Sequence, residues 1–211
     1  LQDAAQKPRP EALRRRLTLR RRSEDAGRPV VSSSVSGYWR VQQDDLELLL
    51  SEFRGGATVS ANRNASDAVE AFELIGKLMY ELPVQYLDHV SPVFDEAPEL
   101  AVLMELGAAR PEDAAPGPDG TVALSALLES ILADAFEAGL VEDAVIAQSD
   151  AQRANFWAMR EGTLEAMQRH GPWVMNDISF QVSDLPGVIA DMEAAFAAVA
   201  PGPFCVAFGH M

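Results

Sequence analysis

The apolar positions fall into short blocks whose spacing changes along the chain. Leu46, Leu48, Leu49, Leu50 and Phe53 give a short helical signal over residues 41–54, closed by Gly55-Gly56. Residues 57–67 are polar and read as loop. Ala71-Phe72-Glu73-Leu74-Ile75 reads as a short strand, and Leu78 to Val90 as a helix that Pro83 should end or kink. Leu100 to Leu106 is an apolar run of strand length, and the proline- and glycine-rich stretch from Pro111 to Gly120 is a loop or insertion. Leu124, Leu127, Leu128, Ile131, Leu132, Ala135 and Phe136 then recur at helical spacing, with Gly139 where a C-terminal glycine belongs.

Val141 to Ala147 is a strand candidate, and Ser149 or Asp150 can cap the helix that follows to about Gln168. His170-Gly171-Pro172 stops that helix. Ile178, Phe180 and Val182 alternate with polar residues, which predicts a half-buried strand. A helix starting at Ser183-Asp184-Leu185-Pro186 lines up Leu185, Val188, Ile189, Met192, Phe196 and Val199 on one face. Pro201-Gly202-Pro203 turns the chain into a last strand, Phe204 to Phe208. Strands and helices alternate from residue 69 onward. Narrow helical stripes and one alternating strand predict an α+β layer, an antiparallel sheet with helices packed on one face and water on the other. A doubly wound parallel sheet is the second choice.

Composition narrows the class. Among 211 residues, 48% are hydrophobic, enough for a globular core, and no apolar run is long enough to span a bilayer. The single Cys205 excludes an internal disulfide and makes a reducing cytoplasm the default compartment. The charge is uneven. Residues 1–40 hold ten Lys/Arg against four Asp/Glu, whereas residues 41–211 hold seven against 28. So acidic a body repels phosphate backbones and excludes nucleic acid as its partner. The basic segment, with Arg14-Arg15-Arg16 and Arg20-Arg21-Arg22, reads as a solvated terminus or a segment foreign to the domain; a targeting peptide or nucleic-acid arm is the alternative.

Arg160 is the first residue with chemistry to explain. It lies four residues after Phe156, three after Trp157 and four before Leu164, so helical spacing sets a guanidinium among bulky apolar groups. Such an arginine must either meet a fixed anion or snorkel to the helix edge. His210 directly follows an apolar strand; a structural histidine and a metal ligand both fit that position. Asp177 and Ser179 sit in Asn176-Asp177-Ile178-Ser179, a polar strand edge. His89 and His170 have no chemical context, and Cys205 reads as an inert core thiol. No serine-hydrolase elbow, P-loop or dinucleotide-binding glycine motif is present.

Five short runs in order resemble the C-terminal domain of the FAD-linked oxidase family, which contains D-lactate and D-2-hydroxyglutarate dehydrogenases. They are Ala71 to Ile75, Leu140 to Gln148, Phe156-Trp157-Ala158-Met159-Arg160-Glu161-Gly162, Asn176 to Ser179, and Phe208-Gly209-His210-Met211. The resemblance covers about residues 69–211 and implies a ferredoxin-like type of cap domain, with residues 41–211 as an incomplete copy. In the family the last motif continues as Gly-Asp-Gly-Asn-x-His, which implies a fragment that is inactive alone.

The resemblance also implies roles. Arg160 would hold the substrate carboxylate, Asp177 would lie near flavin and substrate as a catalytic residue, and His210 would be one ligand of a divalent metal such as zinc. FAD would be held mainly by a domain absent here, with this region covering the isoalloxazine ring. The substrate would be a small D-2-hydroxy acid of the lactate, 2-hydroxyglutarate or glycolate class. The electron acceptor would be a quinone, a cytochrome or an electron-transfer flavoprotein, and the setting cytoplasmic or peripheral to the inner membrane; a homo-oligomer is compatible. Two positions depart from the family pattern: Met175 stands where it has lysine, and Leu164 where it often has Ser or Thr. A non-catalytic α+β binding or regulatory module and a flavin-dependent transferase relative are the alternatives.

Overall fold

The computed structural model describes residues 34–41, 68–108, 110–181, 184–199 and 208–210. The predicted helix at 41–54 after its first residue, the loop at 57–67, the basic run, Cys205 and most of the last predicted strand lie outside the described residues. The centre of the fold is an antiparallel sheet of β1 (Ser34–Val41), β2 (Val69–Gly76), β3 (Leu100–Gly107), β4 (Val141–Ile146) and β5 (Phe208–His210). Their spatial order is β4-β1-β3-β2-β5. Six described helices accompany it: α1 (Lys77–Tyr86), α2 (Pro111–Ala114), α3 (Ala123–Glu137), α4 (Asp150–Glu161), α5 (Thr163–His170) and α6 (Leu185–Val199).

The α+β antiparallel class is what the pattern predicted, but the one-sided sheet is not. Successive strand residues point to opposite faces. Val102, Met104 and Leu106 of β3 pack with Trp39, Val41 and the Leu124, Leu128, Ile131, Leu132 stripe of α3. Ala101 and Leu103 pack on the other side with Tyr38, Ile75, Met79 of α1, Phe156 and Met159 of α4, and Ala166 of α5. Every residue of β3 is buried. A nearly continuous apolar run is the mark of a strand covered on both faces, and Leu100 to Leu106, interrupted only by Glu105, is such a run.

Three further expectations are corrected. The segment boundary drawn at residue 40 falls inside β1, which pairs with β3 from Ser34↔Gly107 to Val41↔Leu100 and with β4 on its other side. Tyr38 and Trp39 have no exposed surface at all. The strand expected around Ile178 and Phe180 does not form. Residues 171–181 have no regular secondary structure, and Val174, Met175, Ile178 and Phe180 are exposed. Alternation supplies a face but no hydrogen-bonding neighbour, and a strand needs both. The helix predicted from Leu78 ends at Tyr86 rather than Val90, with Pro83 inside it.

Local signals hold where the capping chemistry is explicit. Gly139 (φ 77°) closes α3, its N–H bonding Phe136 O while Leu140 N–H bonds Ala135 O. Ser149 caps α4, its Oγ accepting from Gln152 N–H at 3.2 Å, and the Gln152 side chain accepts in return from Gln148 N–H.

Tyr38 marks the centre of the second cluster. Its hydroxyl donates to Met159 Sδ at 3.3 Å, and Tyr80, Phe94 and Phe156 meet its ring edge-on. Burial pushes the phenol well above its usual value of 10, with nearby Tyr80 acting in the same direction and Arg160 opposing it. The folded state therefore keeps a proton that the unfolded chain loses as pH rises past about 10. Stability falls with pH from there. Tyr38→Phe, which has no proton to retain, is expected to stay within about 1 kcal/mol of the parent at neutral pH and to decline less steeply in alkali. Urea midpoints measured on both proteins as pH is raised check this; parallel alkaline curves would sink it.

Candidate functional site

Helix α4 crosses the face of the sheet that carries Tyr38, Leu103 and Ile75. Its Phe156 and Met159 enter the core, and Arg153, Trp157 and Arg160 recur at four- and three-residue spacing beside them. Below these lie two carboxylates of the sheet. Glu105 of β3 accepts from Ser36 Oγ at 2.7 Å and from Trp157 Nε1 at the same oxygen, and pairs through its other oxygen with Arg153 Nη1 at 3.6 Å. Ser36 and Glu105 face each other directly in the β1–β3 register. Glu73 of β2 accepts from Arg160 Nε at 2.9 Å. The Glu73 side chain is 1% exposed and that of Arg160 15%, so this pair is shielded from solvent.

Of the two outcomes open for Arg160, the structure shows the fixed anion. Its partner is 87 positions away in sequence, on a strand where Glu73 carried no chemical signal. The one available clue was a carboxylate inside the apolar run Ala71 to Ile75, since buried carboxylates require partners.

The register extends the site. A row of directly opposed positions crosses the sheet: Tyr38 of β1, Leu103 of β3, Glu73 of β2 and His210 of β5. Opposed positions in an antiparallel ladder share a face. The backbone thus gathers Arg160, Glu73 and position 210 at one side of the sheet. Asp177 is not brought onto the sheet; it is exposed in the stretch 171–181. His89 is exposed in the turn after α1, and His170 Nδ1 meets Tyr86 Oη at 3.0 Å at the end of α5.

Gly162 of the Arg160-Glu161-Gly162 run separates α4 from α5. Its φ of −70° is open to any residue, so its identity is set by space. A Cβ there would lie 2.5 Å from Leu87 Cδ1 and 2.6 Å from Ala158 O. The close approach lets α5 begin immediately and return against α1, and Arg160 sits at that junction.

A resident metal needs three or four donors converging on a point. Among the described residues no three His, Cys, Asp or Glu side chains do so. On this face the polar contacts are those of Glu73 with Arg160 and of Glu105 with Ser36, Trp157 and Arg153.

The sequence model of the FAD linked oxidases, C-terminal domain, matches residues 51–211. The chain belongs to the FAD-linked oxidases. Within this family it is similar to the mitochondrial D-2-hydroxyglutarate dehydrogenase of Arabidopsis thaliana, 29% identical over 153 residues, which is 72% of this chain and 25% of that protein. A 75-residue stretch is 43% identical to the D-2-hydroxyglutarate dehydrogenase of Xanthomonas citri pv. viticola, covering 36% of this chain and 16% of the relative. The probable mitochondrial D-2-hydroxyglutarate dehydrogenase of Oryza sativa subsp. indica is 31% identical over 137 residues, 64% of this chain and 23% of that protein. The chain thus spans a quarter or less of the length of these relatives. Membership in an FAD-linked oxidoreductase family fits the antiparallel α+β fold and the placement of its arginine motif on α4. No described helix is long and apolar enough to cross a membrane.

Proposed function

We propose that this chain is the substrate-side portion of an FAD-dependent dehydrogenase that oxidises a small D-2-hydroxy acid to the 2-oxo acid. The observation that carries the reading is Arg160, a nearly buried guanidinium fixed by Glu73 at the side of the sheet where β5 brings His210. A guanidinium has five N–H donors and binds a carboxylate in a planar fork. Arg160 binds the carboxylate of the hydroxy acid and so orients its carbinol carbon.

In the reaction the carbinol carbon loses hydrogen with its electron pair and the hydroxyl loses a proton. When bound, FAD, which the family uses, would serve as the oxidant: it would take up the hydride and would then be reoxidised by a quinone, a cytochrome or an electron-transfer flavoprotein. His210 is kept as one candidate ligand of a divalent metal, and no step is assigned to a metal. Asp177, exposed and off the sheet, has no supporting contact for a catalytic role. The exposed Leu164 and Met175 leave both positions apolar where the family pattern is polar, which favours a monocarboxylate over a dicarboxylate.

The test uses the full-length protein containing this chain, with D-lactate, L-lactate, glycolate and D-2-hydroxyglutarate offered anaerobically and the flavin spectrum followed. Flavin bleaching by a D-acid or glycolate but not by L-lactate is expected. Bleaching by none of them removes the dehydrogenase reading. Reduction by D-2-hydroxyglutarate alone overturns the monocarboxylate preference.

A further inference from the structure

We propose that Glu73 is the positioning residue for Arg160, setting the guanidinium for a carboxylate ligand. The proposal rests on the reading of Arg160 as a carboxylate anchor. Glu73 itself touches neither substrate nor cofactor in this account.

Three observations carry it. Glu73 lies within β2, with Leu103 of β3 opposite on one side and His210 of β5 on the other, so its backbone is held by a ladder on both edges. Its side chain is buried, and it accepts from Nε, the nitrogen at which the guanidinium joins its aliphatic stem. An acceptor fixed at Nε restricts rotation of the fork about the stem. The helix beneath that stem is fixed separately, because Glu105 holds Trp157 and Arg153 one and two turns before Arg160. Helix and fork are therefore both anchored to the same sheet, by two different carboxylates.

The arrangement makes a prediction of unusual sign. Glu73 is an anion beside the group that is to bind an anion. If charge alone governed the site, removing Glu73 would strengthen carboxylate binding, because like charges repel. If position governs it, removing Glu73 weakens binding although the site becomes more positive.

The experiment uses the full-length protein, with oxalate as the probe carboxylate. Its Kd is measured by calorimetry for the parent, Arg160→Ala, Glu73→Ala, Glu73→Asp and Glu73→Gln. KM for the reducing hydroxy acid and KM for an artificial electron acceptor are measured alongside. Arg160→Ala and Glu73→Ala are each expected to weaken oxalate binding about ten-fold or more, the scale of one charge-assisted contact. Glu73→Gln keeps an oxygen acceptor at the same reach and should remain within about three-fold, since 1.4 kcal/mol is ten-fold and a neutral acceptor loses only part of that. The hydroxy-acid KM should follow the oxalate Kd, with the acceptor KM unchanged. A merely structural Glu73 would not separate the two KM values.

Equal or tighter oxalate binding by Glu73→Ala overturns the proposal. If that variant does not fold, Glu73→Asp decides, since it keeps the charge and withdraws the acceptor by one methylene; an unchanged Kd overturns the proposal and a weakened one supports it. A parent protein that binds oxalate through Arg160 but is reduced by no hydroxy acid overturns the dehydrogenase reading, and Glu73 is then judged on oxalate Kd alone. Oxalate binding indifferent to Arg160→Ala overturns the anchor and its positioning residue together.

Discussion

Arg160→Met destabilises the protein by about 3–5 kcal/mol, and adding Glu73→Leu recovers most of that loss. The single change removes the cation and with it the Arg160 ion pair of the Glu73 carboxylate, 1% exposed, inside the sheet's covered face. The double change removes both charges and supplies apolar groups of similar size to a region already lined by Ile75, Met79 and Met159. The sign of the recovery follows from desolvation: attraction within a buried pair offsets the cost of burying its members, and an isolated member has no such offset. Denaturant midpoints of the parent, both single variants and the double variant make a complete cycle. A loss below about 1 kcal/mol for Arg160→Met would place the pair among solvent-screened bridges, contrary to its burial.

Glu105→Leu is the second large effect, with an expected loss of about 2–5 kcal/mol from unsatisfied donors. The carboxylate collects the Ser36 hydroxyl, the Trp157 indole N–H and the Arg153 guanidinium. Ser36 has no exposed surface, so its hydroxyl has no route to water. Arg153 is 34% exposed and turns outward at small cost, so most of the loss comes from the two neutral donors. Glu105→Gln keeps an oxygen between them and should lose about 1 kcal/mol. Urea unfolding followed by tryptophan fluorescence checks the ranking. Equal losses for Leu and Gln would mean that the charge, rather than its acceptor oxygens, holds the cluster.

These two carboxylates show why part of the site was legible and part was not. Arg160 announced itself locally: a guanidinium at helical spacing among Phe156, Trp157 and Leu164 must have an anion or an exit. Its anion could not be read locally, because Glu73 reaches it only through the β2–β3 pairing and the crossing of α4. The helix α3 was legible end to end, since its apolar stripe and its closing glycine are both local features. Strand β1 was not. Its sequence Ser-Val-Ser-Gly-Tyr-Trp-Arg-Val follows a basic run and contains Gly37, and only pairing on both edges makes it a strand. The converse error occurred at Ile178 and Phe180, where period-two alternation was present and a neighbouring strand was not. Leu100 to Leu106 is continuous rather than alternating apart from Glu105, a pattern that fits two covered faces, although the sequence pattern predicted one face in water.

The strand order also has a consequence for how the chain reaches its native state. Among the described strands, only β2 and β3 are neighbours both along the chain and in the sheet. Strand β1 leaves the ribosome before every other described strand, yet its two neighbours are β3 and β4. Its edge hydrogen-bonding groups, together with Tyr38 and Trp39, must wait through the synthesis of about a hundred residues before the second partner arrives, a span set by the pairing of Gly37 with Ile146. Loop closure over such distances makes assembly slow. During translation the segment around Tyr38 and Trp39 therefore stays unpaired until β3 and then β4 have been made.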